Sequence, residues 1–200
     1  MERMDGVDAE EVERARAGDA EAFRVLVERH SRVLFRVAYR LTGNEQDAED
    51  VVQEAFLKAY RRLDQFKSRA DIGSWLYRIA ANCAVDVLRT RMRRDEQPLW
   101  PGPEDDAGPP DLPAAGPGSD WMAHASELRR RIGTAMSRLS PLERAAFVLR
   151  HFEERSTREI GEALGLETSA VKQSVFRAVR KMRAALAPVA ALPAPERARR

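Results

Sequence analysis

Seven prolines and four glycines fall within residues 97–119, QPLWPGPEDDAGPPDLPAAGPGS, and no other stretch limits the fold of this chain as strongly. Proline lacks the backbone N–H and its ring collides with the preceding turn, so no regular helix can cross the window. The composition is that of an extended, partly disordered linker. It divides the chain into residues 8–96 and residues 120–187, each the size of a small domain. Residues 188–200 read as a disordered tail.

Both flanking parts have helical periodicity, and no alternating run is long enough for a strand. The fold class is all-α: two small helical domains. Phe23, Leu26, Val27, Val33, Leu34, Val37, Ala38 and Leu41 recur at helical spacing, with Asp19 as N-cap and Gly43-Asn44 as the stop. A second helix starts at Asp47 and is expected to bury Val52, Ala55, Phe56, Ala59, Tyr60 and Leu63. A third follows Gly73-Ser74, with Leu76, Ile79, Ala80, Cys83 and Val87 inward and Arg78, Asn82, Asp86, Arg89 and Arg93 outward. In the second part, Glu127–Leu139 forms one helix. Ser140-Pro141-Leu142-Glu143 and Ser156-Thr157-Arg158-Glu159 are capping boxes that open two more. Gly165 is a left-handed stop, and a last helix runs from about Ser169 to Leu186, with Ile160, Leu164, Leu166, Val171 and Val175 inward.

Charge is segregated rather than excessive. The formal net charge is only +2, yet residues 104–111 carry four acids and no base, and residues 168–187 carry five bases and no acid. Such a local imbalance suits a polyanionic partner. The single cysteine, Cys83, rules out an intrachain disulfide and fits a reducing compartment. The N-terminus is too charged for a signal peptide, and no apolar run is long enough to span a bilayer, so the expected location is cytoplasmic. His30, His124 and His151 lack metal-ligand spacing, and neither a phosphate loop nor a nucleophile elbow occurs. His30 reads as a satisfied boundary residue. The expectation is no enzyme activity, no metal and no cofactor.

Three constellations remain. Two short helices around Gly165 form a helix-turn-helix, whose second helix presents side chains to the major groove. Its outward candidates are Thr168, Ser169, Lys172, Gln173 and Phe176, with Arg177, Arg180 and Lys181 farther along for phosphates. The bland reading of this helix is a solvated basic face. Next, the segment with Lys67, Ser68, Arg69, Asp71 and Ile72 leads into Trp75, Arg78, Asn82 and Arg89. Aromatics interleaved with bases can hold unstacked nucleotides and their backbone. Tyr77 can equally be an ordinary core aromatic, and the Trp75 ring is expected to pack partly into the core while its edge frames the strand. Last, Asp47, Glu49, Asp50 and Glu54 make an acidic helix start, with Val51 and Leu57 read as apolar residues outside its buried stripe. The helix dipole alone accounts for some of these acids. Exposed apolar residues among them suit a protein partner with basic side chains.

DAEDVVQEAFLKAYRRLDQF, SWLYRIAANCAVDVLRTRMRR and LSPLERAAFVLRHFEERSTREIGEALGLETSAVKQSVFRAVRKMRAAL, in this order, resemble the bacterial RNA polymerase sigma factors of the extracytoplasmic-function (ECF) group. The resemblance covers about residues 19–186 apart from the linker. It implies that Asp47, Asp50, Val51, Gln53, Glu54 and Leu57 dock on the clamp helices of core RNA polymerase. Residues Lys67–Gly73 with Trp75, Arg78 and Asn82 would open and read the −10 promoter element, and Lys172, Gln173, Phe176 and Arg177 the −35 element. An anti-sigma factor is a further implied partner. The linker would thread toward the polymerase's active-site channel. Departures from the family include Ala81 where arginine is frequent, and Ser169-Ala170-Val171-Lys172-Gln173-Ser174 in place of G-T-V-K-S-R. Thr157 and Gly161 replace commoner tyrosine and alanine, which should loosen their helix by about 1 kcal/mol for the glycine. The other readings are a polymerase-independent helix-turn-helix regulator and a helical interaction module with no DNA role.

Overall fold

The computed structural model describes residues 2–66, 71–94 and 119–190. Every regular element among them is helical: α1 (Glu2–Arg16), α2 (Ala20–Thr42), α3 (Glu45–Arg61), a 3-10 turn (Leu63–Gln65), α4 (Ile72–Arg93), α5 (Ser119–Ser137), α6 (Pro141–His151), α7 (Thr157–Leu164) and α8 (Thr168–Ala190). Residues 97–118 of the expected linker 97–119, with the acids within it, lie outside the described residues, as do Lys67, Ser68 and Arg69, while Ser119 opens α5.

Helices α2, α3 and α4 pack on one another around Leu26, Leu34, Leu41, Val51, Ala55 and Leu76. α1, for which the periodicity provided no expectation, lies against α2 with Val12 and Ala15 buried. Arg16 of α1 donates from Nε to the Leu63 carbonyl at 2.9 Å. In the second unit, α6 packs on α8 around Met136, Val148, Leu149, Ile160 and Val171.

Helix ends follow local chemistry. Asp19 caps α2 by accepting from the Glu21 and Ala22 amides, and Gly43 closes it in the left-handed region at φ 71°. Both capping boxes are formed, at Ser140/Glu143 and Ser156/Glu159, and Gly165 ends α7 at φ 65°. The start of α3 differs from expectation. Asn44 rather than a later residue is its cap, accepting from the Asp47 amide at 2.9 Å. α4 begins at Ile72, because Asp71 caps it before Gly73-Ser74 is reached. α5 begins at Ser119, eight residues earlier than the periodicity suggested.

Candidate nucleic-acid interface

On α3, Glu49, Asp50, Gln53, Leu57 and Tyr60 form one exposed stripe, with Leu57 at 45% and Tyr60 at 53%. Val51 is corrected: it is 1% exposed and belongs to the core, because the α3 face toward α2 and α4 is wider than the periodicity argument allowed. Tyr60 was expected inside and is outside. Its ring meets Phe23 edge-on at 4.9 Å, leaving the rest of the ring to solvent. The spacing 53–57–60 could have placed it beside Leu57. Glu54 is half-buried and pairs with Lys58 at 3.4 Å. Asp47 does not project freely: Arg91 of α4 grips it at 2.6 Å.

The first turn of α4 is built on Asp71. Its carboxylate accepts from the Gly73 amide (3.1 Å), the Ser74 amide (2.8 Å) and the Ser74 hydroxyl (2.7 Å). Burial raises its pKa, but these donors outweigh that and hold it below the ordinary aspartate value. Ile72 is corrected from a candidate DNA contact to a core residue, since it is buried at the seam the cap closes. Trp75 is partly buried against Phe66, with ring centroids 5.2 Å apart. Tyr77 is buried outright, so of its two readings the core one describes this arrangement. Burial, then Glu153, push its phenol up, and Arg155, 4.7 Å from the ring centroid, acts the other way. Ala81 is also fully buried, so that position offers no surface here. Arg89 stays exposed near Asp86 at 3.2 Å. Cys83 is buried with Lys58 Nζ 3.4 Å away, and burial pushes the thiol up.

The second unit covers part of this face. Asn82 donates to the Ala163 carbonyl of α7 at 2.6 Å and to the Arg78 carbonyl at 2.8 Å. Arg40 of α2 pairs with Glu153 and donates to the Phe152 carbonyl at 3.3 Å. A cleft of about 320 Å³ remains between α4 and α7, lined by Asp71, Ser74, Tyr77, Arg78, Arg155 and Glu159. Arg144 of α6 is 1% exposed. Burial and then Arg91 pull its pKa down to about 10, and Asp47 opposes the shift. The contacts between the two units could not be read from the sequence, because each joins residues separated by tens of positions.

Along α8, Thr168, Ser169, Lys172, Gln173, Phe176, Arg177 and Arg180 are all exposed, and Phe176 reaches 66%. Lys181 has another engagement: its ammonium lies 2.6 Å from Glu143, the carboxylate of the first capping box. It ties α8 to α6 and is not a free phosphate contact in this arrangement. Gly161 departs from expectation too. A Cβ there would stand 2.6 Å from the Leu166 carbonyl oxygen, so the turn has closed onto the bare backbone.

Sigma-70 region 2 matches residues 26–94, and sigma-70 region 4 matches residues 129–182. The ECF RNA polymerase sigma-E factor of Haemophilus influenzae is 34% identical over 84% of this chain and 88% of its own length. The chain belongs to the ECF sigma factors. The ECF sigma factor SigE of Mycolicibacterium smegmatis is 36% identical over 81% of this chain, and there the chain spans 60% of the relative's length. CnrH, solved in complex with the cytosolic domain of CnrY, matches at 27% identity and a TM-score of 0.59 over 91% of this sigma factor and 98% of that chain. Sigma factors direct transcription initiation. Among the described residues no helix is long and apolar enough to cross a membrane, and no cluster of three candidate ligands could hold a metal.

Proposed function

We propose that this sigma factor binds core RNA polymerase through α3, grips the opened −10 strand with α4, and reads the −35 duplex with α8. One observation carries the reading: exposed faces of opposite charge on two adjoining helices. Glu49, Asp50 and Gln53 around Leu57 and Tyr60 occupy α3, while Arg89, Arg93 and Arg94 mark the end of α4. An acidic face with apolar centres favours a basic protein surface. A basic helix end favours a phosphate backbone. On α8, Lys172 and Gln173 present donors for base edges, Phe176 an apolar contact, and Arg177 and Arg180 charge for phosphates. Lys67, Ser68 and Arg69, next to the Asp71 cap, belong to the proposed −10 surface. The protein acts in the cytoplasm, performs no catalysis itself, and needs no cofactor.

The Asn82 amide nitrogen, which donates to Ala163, must leave that carbonyl before it can bond a promoter strand. The two units therefore separate before −10 contact, and residues 95–118 join them in both states. An anti-sigma factor is the proposed antagonist, and it is supported by the solved CnrH–CnrY pair. Modest contacts in each unit suffice when polymerase holds both near one promoter. Run-off transcription with purified core on a randomised promoter library tests the proposal. Transcripts that start at a shared pair of elements support it, and no initiation at any template from folded protein defeats it. Tight operator binding without polymerase would favour the stand-alone regulator.

A further inference from the structure

His30 lies outside every surface assigned above, yet three helices meet on its ring. It projects from α2 and is nearly buried, with 12% of its side chain exposed. On one edge, Nε2 stands 3.1 Å from Asp8 Oδ2 of α1. Asp8 is itself buried and also paired with Arg29. A carboxylate only accepts, so the nitrogen facing it carries the hydrogen. The neighbouring ring atom, Cε1, faces Gly73, the second residue of α4. A Cβ built at Gly73 would come within 3.3 Å of it, a tight contact, so the ring lies close against the bare backbone there. Asp8, Arg29 and Asp71 are thus the charged groups around it, from α1, α2 and the start of α4.

We propose that His30 is a positioning residue for promoter opening: Asp8 fixes its ring, and the ring braces the first turn of α4, aiming Trp75 and Arg78 at the separated strand. The inference rests on the assignment of α4 as the −10 surface. A ring tied to α1 through Nε2 and set against α4 through the adjoining Cε1 fixes the pitch of the helix start, and small displacements of a binding group cost much in rate. Gly73 has a role here through the ring's close approach.

The test uses the full chain with core polymerase and three readouts: core affinity, affinity of the initial promoter complex, and the rate of isomerisation to the open complex. His30→Ala is expected to slow isomerisation about tenfold, with both affinities within about twofold of the original. His30→Gln sets an amide nitrogen about where Nε2 stands, and should recover most of that rate. Asp8→Asn, which weakens the hold on the ring without touching α4, should slow isomerisation alone. Unchanged isomerisation in His30→Ala overturns the proposal. So does a parallel fall of all three quantities in both His30 variants, which marks a general contribution to folding. Failure of the unaltered protein to open any promoter would instead sink the −10 assignment.

Discussion

Replacing Gly161 with alanine sets two effects of known size against each other. Helix propensity alone favours alanine by about 1 kcal/mol in a helix interior. The tertiary structure opposes it. The added methyl would lie 2.6 Å from the Leu166 carbonyl oxygen. Carbon–oxygen contacts of this kind settle near ~3.3 Å, so the peptide must retreat by about 0.7 Å. Leu166 is tied down on both sides of that carbonyl. The Leu166 amide donates to the Gly161 carbonyl at 2.9 Å, and the Gly165 amide bonds to the same oxygen. Beyond it the chain enters α8 through the Val171 amide bond to Glu167 at 3.0 Å. Overpacking costs about 1–3 kcal/mol, and each strained hydrogen bond about 1 kcal/mol. Against the propensity gain, Gly161→Ala should destabilise the protein by about 1–3 kcal/mol. Urea unfolding followed by circular dichroism measures this directly. A variant as stable as the original, or more so, would refute the reasoning and restore the view of Gly161 as a loosened helix position.

Asp50→Lys should weaken core polymerase binding at least tenfold (about 1.4 kcal/mol) in a competition assay while leaving thermal stability unchanged, because Asp50 is exposed. Lys172→Ala and Arg177→Ala should each cost about 1–3 kcal/mol in −35 promoter binding measured by band shift with holoenzyme, with Arg177→Ala also reducing the salt dependence. Arg40→Ala removes the pair with Glu153 and should lengthen the distance between fluorophores on α3 and α8 in the free protein; an unchanged distance would show that this contact does not hold the units together. Burial raises the pKa of Glu143, but Lys181 and the Ser140 amide outweigh it and hold the group below its ordinary 4.5. Its stabilisation is complete above that ordinary value and disappears as pH falls through the lowered one, so Glu143→Gln should flatten the acid limb of a melting-temperature profile, and a profile unchanged below pH 4.5 would contradict the pairing.

What the sequence by itself determined is local. Asp19, Ser140 and Ser156 start helices and Gly43 and Gly165 end them, because a cap needs only a few neighbouring amides and one permissive backbone angle. The exposed face of α8 was legible for the same reason: an acid-free run at helical spacing has few places to point. Tertiary packing decided the rest. Val51 and Tyr60 exchanged their expected sides because the buried width of α3 depends on how α2 and α4 close over it. Lys181 bonds Glu143, Asn82 bonds the Ala163 carbonyl and Arg91 grips Asp47, and no spacing along the chain encodes these meetings. A charged side chain can reach several partners in an unfolded chain. Only the packed helices select one, by bringing it within hydrogen-bond distance and removing water from the alternatives.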